Sequence, residues 1–583
     1  MPNRDERPRE RFFLRPWVLG LLFAALLFTV LFLFFKPQYV TNDDAVILRA
    51  FMGYEGGEPA SFHLYTHTAF AWLLYALAVW FPGIAWFSIL QLSLLFLSCA
   101  VVIKSFAQLL RRGLQTPASA LLGALLGLFL TASWALFFIV RITYSMTAAF
   151  LGAAAVAHLF SVETDRGKGV IPRMLGGAAL LLCNYFLRQI TVLPALCFYA
   201  LAAGIKLLLG GRAREARRAV LLGLLYTALL FLLFAGIREA DIALQNGREY
   251  IRWQDARIRV LDYTDYTHHT RPETLSAIGW SPTLLQMTSE WFFLDDRVTA
   301  DAFHAIAAQV TADTQQTPGE RLTAAWASCV WLFTQFPRLS FAGLSALCLA
   351  LLGVAAAPQG KRRWAALNAC LALFGGAAML LGFAWLGRFS DRVALTALLP
   401  MNAALAAGAL ASIRPWRELK QRKAFTAAAA LLIAAALCLG GAAGYASAVD
   451  AVRKDHAQLG ADIPEVDIDE YALLYPDLLF IYDYSMPSNE TVFPDTAFGV
   501  PANVMSWGGW AIHSPSWRRM VQEFGIYELN ASIFLRDNVV YATRYDQPPQ
   551  LLLDYLQENT ASPVEWEFFD TYGVIYFYTF HTV

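Results

Sequence analysis

Apolar stretches recur along this chain at lengths that suit a bilayer. They occupy 17–36, 84–109, 118–139, 143–160, 219–236, 339–357, 364–386, 392–412 and 424–446, and 174–210 is long enough for two short crossings. A helix rises about 1.5 Å per residue and the hydrocarbon layer is about 30 Å thick, so each run predicts a membrane-spanning helix. Composition agrees, with 57% of the 583 residues hydrophobic and only 15% charged. Disordered, collagen-like and coiled-coil classes are excluded. The 45 Lys+Arg are balanced by 45 Asp+Glu, which leaves no net basic field for nucleic acid. The first run is too long for a signal-peptide core and no small-residue cleavage site follows it, so it reads as an uncleaved span. All seven cysteines fall in apolar stretches without CxxC spacing, which indicates neither a disulfide framework nor a zinc site.

Charge placement sets the expected topology. Basic clusters at 4–15, 111–112, 166–173, 206–218, 361–363 and 414–423 hold 23 of the 45 Lys+Arg, and the positive-inside rule assigns all of them to the cytoplasm. The apolar segment 63–82 decides whether that assignment is met. If it spans, every cluster after the first faces outward; if it lies in the interface or re-enters, every cluster faces inward. The expectation is therefore about eleven spans in a plasma-membrane protein with a cytoplasmic N-terminus, 174–187 and 190–210 being the weakest pair. The fold class is a polytopic α-helical membrane protein with a C-terminal soluble α/β domain. The transmembrane domain covers 1–446, with outer loops at 37–83 and 237–323, and 447–583 forms the extracellular domain. That segment carries 20 acidic residues against 6 basic ones, a net of −14. Strands are expected at 478–482, 539–541 and 573–578, and helices at 515–524 and 548–558.

The chain has no GxxxxGK, GxSxG or HExxH motif, and the eleven runs contain no Asp or Glu. These features weigh against a nucleotide-driven pump and an ion-coupled carrier. Candidate chemistry gathers on the outer side. Thr41-Asn42-Asp43-Asp44 follows the first span, and adjacent carboxylates suit a general base or a metal ligand because one of two close acids is readily raised in pKa. A plain helix cap by Asn42 or Asp43 accounts for the same residues. Arginines form the second group. Eight lie in 237–323, with no Lys, and Arg141, Arg188, Arg388 and Arg392 sit at the short outer tips. The guanidinium fork suits a phosphate at the bilayer surface. For the long-loop arginines, interface anchoring or pairing with the loop's 13 acids is the preferred reading; for Arg188 and Arg388 it is the phosphate. His63 and His67, four residues apart, are weak metal candidates without a third ligand, so no metal is assigned and a divalent ion is left open. Trp507 and Trp510, flanking Gly508-Gly509, and His513 beyond them suit sugar stacking, although a buried tight turn would use the same residues.

An N-terminal span, an acidic pair opening the first outer loop, an interfacial helix, many spans and an outer C-terminal domain together resemble the GT-C superfamily of lipid-linked sugar transferases. That superfamily includes protein O-mannosyltransferases and the lipid A aminoarabinose transferase. The pattern is more closely similar to multi-pass proteins of Gram-positive anaerobes. The shared residues are Asn42-Asp43-Asp44, Trp86 after a Phe-Pro turn, Thr143, Thr147-Ala148, Ala256-Arg257 with Asp262-Tyr263, 503–510 with Gly508-Gly509, and His513-Ser514-Pro515. A His-Pro-Pro-type entry to the second loop helix, found in mannosyltransferases, is missing. The resemblance implies a glycosyltransferase that takes sugar from a polyprenyl-phosphate carrier at the outer face and passes it to a cell-envelope polymer, glycolipid or protein. It places Asp43 and Asp44 at the reaction centre. On this reading Arg188, Arg388, Arg392 and Arg141 hold the donor phosphate, and Trp507, Trp510 and His513 the acceptor or sugar. The alternative class is a non-catalytic transporter or lipid flippase of envelope precursors, and a third is an envelope scaffold.

Overall fold

The computed structural model describes residues 14–54, 57–116, 118–163, 169–209, 214–387, 389–413, 418, 423–459, 468–486, 491–494, 496 and 499–583. The chain begins with α1 (Pro16–Phe34), strand β1 (Gln38–Tyr39) and the short helices α2 (Asn42–Met52) and α3 (Thr68–Trp80). Then follow α4 (Trp86–Leu114), α5 (Ser119–Val140), β2 (Arg141–Ile142), α6 (Tyr144–Ser161), α7 (Val170–Leu187), α8 (Val192–Leu209) and α9 (Arg214–Leu244). Five helices precede the next spans: α10 (Arg248–Leu261), α11 (Tyr266–His269), α12 (Pro272–Ile278), α13 (Pro282–Ser289) and α14 (Ala300–Asp313). The membrane part ends with α15 (Pro318–Gln335), α16 (Pro337–Ala356), α17 (Gln359–Trp385), α18 (Asp391–Leu410) and α19 (Lys423–Leu459).

Eleven helices among the described residues are long and apolar enough to cross a bilayer, namely α1, α4 to α9 and α16 to α19. Segment 63–82 resolves as a loop followed by α3, whose 13 residues rise only about 20 Å and do not cross. Both halves of 174–210 become 18-residue helices, because α7 starts at Val170, before its apolar run does. The helices also extend past their apolar runs at the other end. Asp241, Asp391 and Asp450 therefore lie within α9, α18 and α19, which corrects the expectation of carboxylate-free spans.

Packing ranks the spans. Helix α6 is wholly buried and α18 nearly so, whereas α9 and α19 are mostly exposed along their apolar windows. The inner pair is rich in Ala and Gly, and without large side chains two backbones can approach closely. Where α4 meets α5, a Cβ on Gly123 would fall 2.5 Å from the Phe106 carbonyl oxygen, so only glycine fits. Outward-facing Leu221, Leu225, Leu232 and Leu233 of α9 suit a lipid environment. The chain alternates ends regularly. Arg111, Arg112, Arg173, Lys206 and the 361–363 cluster consequently fall opposite the end that carries the C-terminal domain, hereafter the domain side.

After α19 come α20 (Ile468–Ala472), β3 (Leu479–Tyr482), β4 (Val504–Ser506), α21 (Pro515–Glu523), β5 (Val539–Thr543), α22 (Gln550–Glu558), β6 (Val564–Tyr572) and β7 (Ile575–Thr582). The five strands order as β4-β3-β5-β7-β6. Strands β4, β3 and β5 run parallel, and β7 pairs antiparallel with β5 and β6. Strand β6 was not among the expected strands; it is the edge of the sheet, and neither face of its Glu565-Trp566-Glu567-Phe568 alternation is buried.

Loop 237–323 and this sheet form one body. Trp253, Ala256, Phe292 and Phe293 share a core with Leu479, Met505, Trp507 and Tyr541. The Phe293 amide donates to the Trp507 carbonyl at 3.0 Å, and the Tyr555 hydroxyl donates to Asp295 at 2.7 Å. A Cβ on Gly508 would lie 1.6 Å from the Trp291 carbonyl oxygen, so this junction also demands glycine. The Arg49 guanidinium forks onto Asp469, with Nη2 2.8 Å from Oδ1, and ties α2 to the same body.

Candidate active site

The acidic pair opens α2, and the structure separates its members. Thr41, rather than Asn42 or Asp43, is the N-cap residue, and its hydroxyl donates to Asp44 Oδ2 at 3.1 Å. Asp44 is fully buried. Its Oδ1 accepts the Tyr144 backbone amide at 2.7 Å and Gln91 Nε2 at 3.2 Å. Burial pushes its carboxyl pKa up to about 7, against those hydrogen bonds and with help from the neighbouring Asp43 charge. Asp43 turns the other way: it is about one-third exposed and faces Arg392, with Nη1 3.9 Å from Oδ2. Sequence reasoning treated the two as equivalent. Successive residues at the start of a helix diverge by about 100°, so one enters the bundle and the other faces the open site.

Arginine placement also splits. Arg188, at the C-cap of α7, donates through Nη1 to the Tyr144 hydroxyl and to Ser145 Oγ at 2.9 Å. Its guanidinium lies 4.6 Å from the Tyr144 ring centroid and 5.5 Å from that of Tyr65. Arg392 is held by a charge chain. Arg338 bridges Asp391 at 3.0 Å and Asp450, joining the domain-side ends of α16, α18 and α19. The Asp391 carboxylate accepts the Arg392 amide at 2.8 Å. Asp43, Asp44, Tyr144, Arg188 and Arg392 therefore form one constellation at the domain side of the bundle. Arg388 lies outside the described residues. Arg141 does not join the group. It is buried and donates to the carbonyls of Lys36, Val140 and Ala451, where β2 pairs with β1, so its expected phosphate role is corrected to a structural one.

Tyr65, in the loop before α3, lies against Tyr144, with ring centroids 6.3 Å apart. That loop is clamped from α9: Arg238 donates to the carbonyls of His63 at 2.9 Å and Leu64 at 3.0 Å, and Asp241 accepts the Thr68 hydroxyl at 2.7 Å. His63 Nδ1 accepts the amides of Tyr65 and Thr66, and burial lowers its pKa to about 3. His67 Nδ1 accepts the Ala69 amide as the cap of α3, while Nε2 bonds the Phe234 carbonyl at 2.9 Å. Both nitrogens of His67 are thus engaged. Among the described residues no group of three His, Cys, Asp or Glu side chains is gathered for a metal, and the pair is better described as loop-shaping.

The aromatic candidates are interior. Trp507 is only 4% exposed and Trp510 7%. Trp507 stacks on Tyr541, and Trp510 meets His63 edge-on at 4.8 Å. The Trp510 carbonyl accepts Tyr250 Oη and Gln254 Nε2, each at 2.5 Å. His513 sits between Trp253 and Trp517, and burial lowers its pKa to about 4. Their faces are spent on packing, which corrects the sugar-stacking expectation. Aromatic groups that do border the constellation are Tyr65 and the exposed Tyr484. Burial pushes the Tyr65 hydroxyl upward in pKa, and both tyrosines lie within range of the Arg257 and Asp43 charges. Neither tyrosine belongs to a recognisable motif. A separate cavity of about 500 Å³ lies at the far end of α2, lined by Met52, Pro59, Val79, Pro82, Thr496 and Val500, and none of the charged constellation borders it.

No protein-family model matches this chain, and no curated protein matches it. Among solved structures it is similar to ArnT from Cupriavidus metallidurans bound to undecaprenyl phosphate, with 13% identity over 97% of each chain and a TM-score of 0.39.

Proposed function

We propose that this multi-pass membrane protein is a glycosyltransferase of GT-C type, with its domain side facing out of the cell, that uses a polyprenyl-phosphate-linked sugar. The observation that supports this most is the placement of a partly exposed carboxylate, Asp43, against Arg392 at the end of the bundle, with Tyr65 in charge range of Asp43 and 5.5 Å from Arg188. An acceptor hydroxyl attacks the anomeric carbon, forming the glycosidic bond while the sugar–phosphate C–O bond breaks. The hydroxyl proton passes to Asp43, and the departing phosphate keeps the bonding electrons. Arg188 and Arg392 offset that charge where the carrier's head group meets the bilayer edge. Asp44 is a positioning residue that fixes α2 to α6. The close packing of α6 and α18 favours this reading over a carrier, which needs a path through the spans.

The test is release of polyprenyl phosphate, followed by mass spectrometry, from a panel of short-chain polyprenyl-phosphate hexoses and pentoses mixed with envelope extract and purified protein. Release that requires wild-type Asp43 is the expected result. Equal release by Asp43→Asn protein would overturn the assignment.

A further inference from the structure

Most arginines of loop 237–323 with assigned contacts behave as a charged loop should. Arg252 pairs with Asp301, Arg271 with Asp313 and Arg297 with Asp295, and Arg238 is spent on backbone carbonyls. Arg257 of α10 does not. It is only 2% exposed, yet its Nη1 is buried without a hydrogen-bond partner, and no carboxylate pairs with it among the described residues. Its sole hydrogen bond among them runs from Nε to Gln254 Oε1 at 2.9 Å. Gln254 is itself anchored on the Trp510 carbonyl, so the guanidinium is held by its stem with the fork left over.

The surroundings are built to keep that fork in place. The Trp291 ring lies 5.0 Å beneath the guanidinium carbon and Phe293 5.9 Å away. Trp291 has φ +62°, a left-handed conformation costly for a bulky residue. Tyr484 leans on the same ring at 5.9 Å. A buried cation with unsatisfied donors is expensive in an empty protein, and a stacked guanidinium fork fits a planar or tetrahedral oxyanion. Tyr65, whose ring lies 5.5 Å from the Arg188 guanidinium, feels the charges of Arg257 and Asp43 as well, which sets the fork within charge range of the reaction centre.

We infer that Arg257 is a substrate-binding residue that takes a second oxyanion, distinct from the carrier phosphate assigned to Arg188 and Arg392. This rests on the glycosyltransferase reading for its setting. Two sources share the required chemistry: the outer phosphate of a diphosphate carrier, or a carboxylate on an acidic sugar.

The experiment is ligand binding by full-length protein in nanodiscs, which needs no turnover. Farnesyl phosphate, farnesyl diphosphate, and glucuronate against glucose in the presence of farnesyl phosphate are titrated onto wild type, Arg257→Gln and Arg257→Lys. The wild type should prefer either the diphosphate over the monophosphate or glucuronate over glucose, and the preferred member identifies the source. Arg257→Gln should erase that preference, a loss of about 10-fold to 100-fold, and leave farnesyl phosphate binding unchanged. Its melting temperature without ligand should equal or exceed that of wild type, because an unpaired buried cation has been removed. If Arg257→Gln does not fold, a reduced preference in Arg257→Lys supports the site. Equal preferences in wild type and the folded variants, or none in wild type, overturn it. Should transfer prove insensitive to Asp43 while the preference depends on Arg257, the reaction assignment falls and the oxyanion site stands.

Discussion

The backbone amide of Tyr144 donates to Asp44 at 2.7 Å, fastening the first residue of an innermost spanning helix to the second member of the acidic pair. The same tyrosine's hydroxyl receives Arg188. One residue thereby connects the buried carboxylate, the membrane-edge arginine and the bundle core.

Stability should carry the signature of Asp44. Its folded pKa of about 7 lies above the roughly 3.9 of an unfolded chain, so folding takes up a proton between those values. Below about pH 4 both states are protonated and the native state has its full stability. As pH rises to about 7 stability falls, at a limiting slope on the order of 1.4 kcal/mol per pH unit, and above that it levels off. Thermal unfolding in detergent from pH 4 to 8 should show this decline in wild type and a much flatter profile in Asp44→Asn.

The two carboxylates should also separate in function. Asp43→Asn removes a partly exposed base and should lower sugar transfer at least about 100-fold with little change in melting temperature. Asp44→Asn should chiefly change stability and its pH dependence. Initial rates and melting curves on the same preparations check both, and a reversed pattern would exchange the two roles.

Arg188 should discriminate fork from charge. Arg188→Lys retains the cation but not the bidentate geometry, so short-chain polyprenyl phosphate should bind more weakly than to wild type, and Arg188→Ala weaker still, by about 10-fold to 100-fold in all. The exposed Arg321 provides the control through Arg321→Ala, which should bind normally. Affinities measured in nanodiscs decide the order.

Topology follows from which helix ends carry the basic clusters. In a cysteine-free background, a cysteine replacing Gln359 should be shielded from an impermeant thiol reagent in intact cells. Cysteines replacing Gln316 or Ala561 should be labelled. All three positions are exposed, so shielding at Gln359 reports the membrane side rather than burial.

The spans were legible because a 20-residue apolar run has few other interpretations, and Arg188 stood out because it contradicts the charge trend. What the sequence hid depends on distance along the chain. Asp43 and Asp44 look alike until Tyr144, 100 residues away, claims one of them. By charge alone Arg257 looks like its seven loop neighbours, although it belongs to the shared Ala256-Arg257 pattern; what sets it apart is that no carboxylate pairs with it among the described residues. Trp507 and Trp510 carried a plausible sugar-binding pattern, but a tryptophan's exposure is set by the core it joins: Trp507 the one shared between the outer loop and the terminal sheet, Trp510 that of the bundle.

Helix α9 is one rod of 31 residues, about 46 Å long, and thus longer than the hydrocarbon layer it crosses. Its domain-side end grips the Tyr65 loop through Arg238 and Asp241, and α10 with Arg257 begins only a few residues later. The surplus lies beyond the apolar run 219–236, at the charged ends, so the helix projects past the hydrocarbon layer. Arg238 and Asp241 stand on that projection, and the Tyr65 side of the site is thereby carried on the continuation of a span rather than on a free loop.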